Sequence, residues 1–389
     1  MSGREFHMIA TTFYGLEEVL AGELKALGAK NVKQANRAVS FVGDKGFMYK
    51  ANLALATALR ILMPVGTFRI NNERDLYAGV RNIDWDNYLY YKDTFSVQSV
   101  VYSRHVSSHS HYIALKTKDA IVDFFKDRYG TRPGVDTKNP TMRVHVHISG
   151  RQCTVSLDSS GEPLFKRGYR KASHPATLNE VLAAGILRLA GYKGYRRFVD
   201  PMCGSGTLPI EAAFLATRIP PGIHRSFAFA KWEDFDEDLF RLVRDSLMNR
   251  IVEPKAAIEA YDISPRWIRA ARTNVEAAGL SDFITTEEKD FFAMENPEKL
   301  DQLLLVSNPP YGERIGSDIE NFYKRIGDTL KERFAGTSSW WLTPGLSGVK
   351  NIGLRPGTKI KLYNGSIECR LLNYEIYKGS KKKHKNNAY

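Results

Sequence analysis

The first 157 residues alternate between strand-like and helix-like patterns of hydrophobic positions. Residues 6–43 predict a strand, a helix and a strand, because leucine and valine recur on one helix face and Gly28 ends the helix. The pattern beyond them predicts helices near 46–60 and 117–129, and strands at 95–101, 143–148 and 152–157. This mixture predicts an α+β region and not a repeat array.

From residue 177 onward, strands and helices follow one another in regular alternation. Thr177 and Glu180 resemble a capping box that opens a helix. The elements after it are predicted as strands at 197–200, 256–261, 303–307 and 338–342, and as helices at 207–217, 265–278 and 319–333. Such alternation predicts α/β architecture, with parallel βαβ units and right-handed crossovers. A final hairpin is predicted from residue 359 to 377, with Asn364 and Gly365 as its two-residue turn.

The charge of the chain favours a polyanionic partner. Its 389 residues carry a formal net charge of +13, and clustered Lys and Arg gain affinity by releasing counterions from phosphates. A basic surface that only keeps the protein in solution is the alternative. The lysine-rich tail at 381–389 can touch phosphates or remain solvated. The connector between the two halves carries a basic group that we predict to bind RNA, namely Lys166, Arg167, Tyr169, Arg170 and Lys171.

Cysteine usage and the N-terminal sequence indicate a cytoplasmic protein. Cys153, Cys203 and Cys369 are far apart, so the sequence predicts neither a disulfide framework nor a metal site. The N-terminus lacks an apolar stretch of signal-peptide length, and no segment approaches the roughly 20 apolar residues of a membrane span. We therefore expect no membrane anchor and no metal.

Aromatic and basic side chains are also concentrated just after the predicted strand at 95–101. Groups of this kind stack on unpaired bases and bind phosphates. A solvated loop would explain the same composition. The group comprises Tyr102, Arg104, His105, His109, His111 and Tyr112.

Residues 198–207 predict a strand that runs into a glycine loop and then a helix. Gly204 and Gly206 would let the backbone approach a ligand closely at the carboxyl edge of the sheet. A dinucleotide-binding fold uses a similar loop, but Pro209 stands where its third glycine belongs. Cys203 has no base placed beside it by the sequence, so we interpret it as a small loop residue. Further candidates for cofactor contacts in this loop are Asp200, Met202 and Thr207.

Two later strands are also predicted to end in an acid. Asp262, followed by Ile263, ends the second strand and can accept hydrogen bonds from both ribose hydroxyls of a nucleoside cofactor. A carboxylate there would also stabilise the following helix through its dipole. Asp290 would lie near an adenine amine, with Phe291 beside the ring, although its strand at 285–289 is poor in apolar residues.

The most specific motif follows the apolar strand at 303–307. Asn308 ends that strand, and Pro309 and Pro310 then hold the chain rigid without donating backbone hydrogen bonds. An exocyclic base amine is a poor nucleophile because its lone pair is delocalised into the ring. If the Asn308 side-chain oxygen and the Pro309 carbonyl accept its hydrogens, the lone pair can point at a methyl donor. Tyr311 can stack on the displaced base. A simple strand-to-loop turn would leave this full motif unexplained.

Together these motifs resemble the THUMP-domain RNA methyltransferases, with the greatest similarity to the RlmL-type 23S rRNA guanine-N2 methyltransferases. A mostly parallel sheet that ends in an antiparallel hairpin is also typical of class I methyltransferases. The resemblance covers both halves of the chain. It is carried by residues 15–18 (Gly-Leu-Glu-Glu), 118–123, 167–170 (Arg-Gly-Tyr-Arg), 200–207, 308–314 and 363–365 (Tyr-Asn-Gly).

The resemblance implies a Rossmann-like class I methyltransferase domain preceded by an α+β ferredoxin-like and THUMP unit that binds RNA. The implied ranges are 1–43 (ferredoxin-like), 44–157 (THUMP), 158–176 (connector), 177–380 (methyltransferase) and 381–389 (tail). It further implies S-adenosyl-L-methionine as the cofactor, with a guanine amine held by residues 308–311. The residues implied to surround the cofactor are Asp200, Gly204, Gly206, Asp262 and Asp290.

The sequence thus predicts methylation of a guanine N2 amine in 23S rRNA, free or in a large-subunit precursor. The alternatives are the same chemistry on tRNA, methylation of an adenine N6 or a glutamine amide, and a non-catalytic RNA-binding assembly factor. Retention of the loop glycines, the acids and Asn308 counts against the last of these. Some RlmL proteins continue into a second methyltransferase module, whereas this sequence continues into the lysine-rich tail. We therefore expect no second modification here.

Overall fold

The computed structural model describes residues 3–172, 177–294, 303–310, 318–345 and 349–377. Within them the strands are β1 Phe6–Thr11, β2 Lys30–Ala35, β3 Ala38–Gly43, β4 Arg60–Arg69, β5 Thr94–Tyr102, β6 Gly134–Val135, β7 Met142–Ser149, β8 Gln152–Asp158, β9 Arg197–Asp200, β10 Ile258–Asp262, β11 Ile284–Glu288, β12 Leu303–Ser307, β13 Ser338–Pro344, β14 Thr358–Asn364 and β15 Ile367–Glu375. The α-helices are α1 Glu17–Leu27, α2 Lys45–Ala54, α3 Glu73–Arg81, α4 Ser110–Tyr129, α5 Glu180–Leu189, α6 Thr207–Thr217, α7 Glu237–Met248, α8 Pro265–Ala277 and α9 Ile319–Arg333. None of the helices in these ranges is long and apolar enough to cross a membrane.

The chain forms two compact units that are interleaved in sequence. The first contains Met1–Thr12, Leu20–Leu164 and Arg225–Ser246, and the second contains Phe13–Val19, Phe165–His224 and Leu247–Tyr389. The segment Arg225–Ser246 therefore belongs to the first unit, although it lies within the range predicted for the methyltransferase domain.

The first unit is built on a mixed sheet in the order β2-β3-β1-β4-β8-β7-β5-β6. Alternate residues of β7 and β8, such as Val146 and Val155, are fully buried on one face, because successive side chains of a strand point to opposite faces. Helix α3 packs against β4, and α4 packs against β5 and α3. The core of this unit therefore lies between that face of the sheet and these two helices.

An aromatic cluster fixes the segment Arg225–Ser246 in the first unit. The buried Tyr49 ring of α2 contacts Phe229, Phe235 and Phe240, with ring centroids 4.6, 5.8 and 5.7 Å away. Such rings bury a large apolar area and add edge-to-face contacts. The segment is thus part of the hydrophobic core of this unit.

The second unit contains a sheet in the order β11-β10-β9-β12-β13-β15-β14. β9 to β13 run parallel, whereas β15 is antiparallel to both β13 and β14. The strand order reverses between β9 and β12, and the crevice beside the carboxyl ends of such strands is where α/β sheets bind ligands. The α/β architecture predicted for this half is confirmed, and β9, α6, β12 and α9 have the predicted bounds.

Several elements of the first unit differ from the prediction. The helix predicted near 46–60 ends at Ala54, and the unpredicted β4 and α3 follow it. Pro64 and Gly66 interrupt the hydrophobic alternation of β4, and the pairing with β8 shifts register between them. A bulge accommodates a proline that a regular central strand would exclude. Helix α4 also begins seven residues before its predicted start at 117, at Ser110.

Two local predictions for the second unit were wrong. Asn179, and not Thr177, caps helix α5, because its side chain accepts hydrogen bonds from the backbone N–H groups of Val181 and Leu182. The hairpin pairs Asn364 with Ile367, so its two turn residues lie one position later than predicted. Gly365 is still the turn residue with positive φ, at 63°.

The contact between α9 and the 3-10 helix Val349–Ile352 gives a test of packing. A Cβ atom at Gly327 would overlap the backbone carbonyl of Ile352, and backbone cannot move aside as a flexible side chain can. We expect Gly327→Ala to destabilise the protein by about 1 to 3 kcal/mol in urea unfolding. Gly22→Ala in α1 is the control, because a Cβ there meets open space and should stabilise the helix by about 0.5 to 1 kcal/mol. Equal stability of the two variants would contradict this packing.

Candidate active site

A cavity of about 380 Å³ opens in the second unit beside the carboxyl ends of β9, β10 and β12. Its volume falls in the range of small-molecule sites. The predicted site residues that line it are Asp200, Met202, Gly204, Thr207, Asp262, Ile263, Asp290, Phe291, Asn308 and Pro310. The structure therefore brings together residues separated by more than one hundred positions in sequence.

Asp200 is the most deeply buried acid of the cavity. Its carboxylate accepts hydrogen bonds from the Ser307 hydroxyl at 2.8 Å and from the Met202 N–H at 3.2 Å. Burial, with a smaller contribution from nearby Asp262, raises the pKa of Asp200 to about 7, although the two hydrogen-bond donors oppose this shift. The hydrogen bond from Ser307 joins the end of β12 to the end of β9.

Asp262 and the glycine loop form one structure. The two Asp262 carboxylate oxygens accept backbone hydrogen bonds from Gly204 at 3.0 Å and Ser264 at 2.9 Å. Burial raises the pKa of Asp262, while these donors oppose the shift. Gly204 has φ of 52°, and, its two chain neighbours aside, no atom of the described residues would lie within 4 Å of a Cβ there. A ligand can therefore approach this backbone closely.

Gly206 has a different role from Gly204. It has φ of 84° at the N-cap of α6, and a Cβ there would lie 3.3 Å from the Cβ of Ala271 in α8. It thus allows the loop to pack against α8, where a larger residue would be crowded.

The aromatic wall of the cavity follows Asp290. The Asp290 side chain accepts a hydrogen bond from the Phe292 N–H at 2.9 Å and caps the 3-10 helix Phe291–Ala293. The Phe291 ring is buried against Phe334 and Trp341, whereas Phe292 is partly exposed and also lines the cavity. The sequence singled out Phe291 but not its neighbour.

Asn308 presents an unused acceptor to the cavity. Its side-chain oxygen Oδ1 is buried, and within the described parts of the chain it has no hydrogen-bond partner. A buried amide oxygen without a partner is costly unless a ligand supplies the donor. Pro309 is buried and Pro310 lines the cavity, and Tyr311 lies outside the described residues. Asn308 therefore fits a ligand that carries an N–H donor.

The prediction that the whole connector binds RNA needs correction at two residues. Arg167 is only 2% exposed and pairs with the buried Glu211 at 3.4 Å. The buried Tyr169 hydroxyl donates to Glu211 as well, at 3.3 Å. A buried carboxylate needs such partners, so Arg167 and Tyr169 stabilise the interior of the unit. Lys166 and Lys171 are exposed.

Arg170 and Asn274 hold the connector beside the glycine loop. Arg170 pairs with Glu180 at 2.8 Å and donates to the Thr207 hydroxyl at 3.2 Å. The fully buried Asn274 of α8 accepts from the Lys171 and Ala172 N–H groups, and donates to the carbonyls of Ala172 and Ser205. These four bonds are 2.8 to 2.9 Å long.

Cys203 lines the cavity without being a nucleophile. Burial, together with Asp200 and Asp262, raises the pKa of its thiol well above the ordinary value, so the reactive thiolate is not formed near neutral pH. This agrees with its interpretation as a small loop residue.

Sequence reasoning missed other residues that line the cavity. Trp267 stands on α8, and Phe322 stands on α9 after the motif that begins at Asn308. No local motif signals either residue, because their position depends on how the helices meet the sheet. The missed residues are Thr177, Leu178, Pro201, Ser205, Leu208, Ser264, Trp267, Phe292 and Phe322.

The strand order and the cavity define a Rossmann-like methyltransferase, and comparisons with known proteins agree. The family described as RMKL-like, methyltransferase domain matches residues 167–373. The THUMP domain matches 71–158, and the RlmL ferredoxin-like domain matches 7–62. The chain belongs to this family of methyltransferases, which confirms the predicted resemblance.

Individual relatives extend these matches. "Putative RNA methyltransferase slr0064" of Synechocystis is 37% identical over 372 residues, covering 95% of this chain and 96% of that protein. A "Ribosomal RNA large subunit methyltransferase K/L" of Syntrophotalea carbinolica is 37% identical over 94% of this chain and 53% of that protein. The chain thus spans about half the length of that relative. The crystal structure of SMU.472 complexed with SAH has a TM-score of 0.86 at 31% identity, over 97% of this chain and 100% of that chain.

The raised pKa of Asp200 predicts a pH-dependent stability. In the unfolded chain this carboxyl ionises at its ordinary value of 3.8, whereas in the folded protein it keeps its proton up to about pH 7. The stability that the protonated carboxyl contributes is therefore complete below pH 3.8, and it is lost as the pH rises to about 7. Across this interval we expect the melting temperature of the wild type to fall relative to that of Asp200→Asn. Above it, the difference between the two melting temperatures should stay constant. A difference that does not change with pH would refute the assignment.

Asn274 gives a test of the connector. Asn274→Ala leaves two N–H groups and two carbonyls of the backbone without partners, and we expect a loss on the order of 3 kcal/mol in urea unfolding. Thr273→Ala changes an exposed neighbour on the same helix and should have little effect. If both variants unfold alike, the four hydrogen bonds do not hold this junction.

Proposed function

We propose that the protein transfers a methyl group from S-adenosyl-L-methionine to the N2 amine of a guanine in 23S rRNA. The observation that carries the proposal is the buried Asn308 oxygen, which has no hydrogen-bond partner among the residues that the structure describes and lies at the carboxyl end of β12, beside the loop that holds Gly204. The "Ribosomal RNA large subunit methyltransferase K/L" relative supports ribosomal RNA as the substrate class. The SAH complex of SMU.472 supports the cofactor.

The residues of the cavity fit this cofactor. Asp262 keeps carboxylate lone pairs beyond those used by Gly204 and Ser264, and these can accept the ribose hydroxyls. Asp290 can accept a hydrogen bond from the adenine amine, and Phe292 can pack against the face of the adenine ring. The open space over Gly204 admits the remainder of the molecule. When bound, S-adenosyl-L-methionine supplies a methyl group on a sulfonium and leaves as the neutral thioether.

The protein contributes position and electrostatics to this reaction. Asn308 accepts a hydrogen bond from the guanine amine, which draws the nitrogen lone pair out of conjugation with the ring. The Ser307–Asp200 hydrogen bond holds the strand end that carries Asn308. An amide cannot keep a proton at neutral pH, so the proton released by the methylated amine passes to water. Alignment of the two reacting centres then provides most of the rate gain.

Two substitutions separate transfer from cofactor binding. Asn308→Ala should reduce turnover by roughly 100-fold or more, as loss of a preorganised polar contact does, while affinity for S-adenosyl-L-methionine in calorimetry stays close to wild type. Asp262→Ala is the reciprocal control and should weaken that affinity by roughly 10- to 100-fold, since a charged acceptor is lost. Normal turnover by the Asn308 variant would eliminate the proposed site.

The substrate is tested by nucleoside analysis. The gene is deleted in its host, and the purified protein is then offered the 23S rRNA or the tRNA of that strain with labelled S-adenosyl-L-methionine. We expect label in N2-methylguanosine from 23S rRNA. Label in N6-methyladenosine would contradict the guanine assignment, and label confined to tRNA would contradict the ribosomal one.

A further inference from the structure

One face of the first unit's sheet is regular across four strands. β4, β8, β7 and β5 are adjacent, and their registers align residues in rows. The end row contains Arg69, Gln152, Ser149 and Tyr102, and the next row contains His147 beside Val100. Ser149 and His147 on β7 and Gln152 on β8 alternate with buried residues and so point away from the core. Tyr102, Val100 and Arg69 share that face through the strand registers, and the six residues are called the open face below.

The open face carries an accessible aromatic ring. Tyr102 is 64% exposed and Val100 is 37% exposed. The Tyr102 ring meets the His147 ring edge-on at a centroid distance of 6.1 Å, which supports the tyrosine from one side. An exposed ring held in this way on a strand provides a flat stacking surface.

The charge of this region suits phosphate. None of the six residues of the open face is a carboxylate. Arg69, Arg104 and Arg151 are exposed at the same end of the sheet, and none of them pairs with a carboxylate in the described part of the chain. Elsewhere in this unit arginines do pair with acids, for example Arg60 with Asp158 and Arg81 with Asp127. Arg69 stands at the other end of the row from Tyr102, and Arg151 donates to the His105 ring at 3.4 Å. The three arginines remain available to a polyanion.

We propose that the open face binds an unpaired stretch of the substrate RNA, with a base stacked on Tyr102 and neighbouring phosphates held by Arg69, Arg104 and Arg151. This inference rests on the proposed function, because it assumes an RNA substrate. A single strand is the occupant, since a duplex keeps its bases stacked on one another and out of reach of the ring. A protein partner would need a larger apolar area than Tyr102 and Val100 offer.

The test compares single-stranded and duplex RNA by fluorescence anisotropy. With a short labelled single-stranded RNA, Tyr102→Ala should bind about 5- to 100-fold more weakly than the wild type. Tyr102→Phe keeps the ring and should bind like the wild type, and the affinity for duplex RNA should change little. Tyr195→Ala removes a similarly exposed tyrosine of the second unit, 57% exposed, and should have no effect.

The arginines are tested through the salt dependence of binding. Replacing Arg69 and Arg151 together with alanine should lower the slope of log affinity against log salt by about 1.4, or roughly 0.7 per lost phosphate contact. Arg244→Ala, an exposed arginine of α7, should leave the slope unchanged. An unchanged slope in the double variant would overturn the role assigned to these arginines.

Failure of this inference can be distinguished from failure of the proposed function. If Tyr102→Ala binds single-stranded RNA as tightly as the wild type, the open face is not the RNA site. The proposal of methyl transfer beside Asn308 would still stand. If the wild type neither binds nor methylates any RNA, both proposals fall. An unchanged far-UV circular dichroism spectrum and an unchanged urea unfolding curve for each variant show that the first unit keeps its fold, so that a loss of RNA binding supports the stacking site.

Discussion

The hydrogen bond from Ser307 to the buried Asp200 carboxylate is the interaction on which the candidate active site depends. It joins the carboxyl ends of β9 and β12, where the order of the parallel strands reverses. Asp200 begins the turn into the glycine loop, and Ser307 directly precedes Asn308. The backbone pairing of β9 with β12 aligns the two strands, and this contact at their ends holds the loop that suits a cofactor next to the amide that suits a base.

Two arginines of the basic connector in the second unit pair with buried acids of the same unit. Arg167 pairs with Glu211 and Arg170 pairs with Glu180, and this pairing offsets the cost of burying charge beside the glycine loop. A basic sequence segment is thus ambiguous. The same composition describes a surface for nucleic acid and a scaffold for a catalytic loop, and only burial distinguishes them. In the first unit, Arg69, Arg104 and Arg151 are exposed, and none of them has an acidic partner among the described residues.

The parts of the structure that the sequence predicted best are those with a local physical cause. β12 is uniformly apolar, α6 follows a glycine loop, and the motif at Asn308 stands directly after a buried strand, so their positions could be read from neighbouring residues. β4 was missed because Pro64 and Gly66 break its alternation, and the bulge that tolerates them depends on β8. Burial of Arg167 and the positions of Trp267 and Phe322 depend on contacts between distant segments. Sequence periodicity carries no information about those contacts.

The interleaving of the two units has a consequence for dissecting the protein. The chain passes between the units five times, at 12/13, 19/20, 164/165, 224/225 and 246/247. A fragment cut after Leu164 would lack Phe229, Phe235 and Phe240, and the ring of Tyr49 would lose its aromatic neighbours. The complementary fragment would carry these phenylalanines without the core that buries them. A cut at this point therefore divides one hydrophobic core between two fragments, and we expect each fragment to be less stable than the same residues in the intact polypeptide.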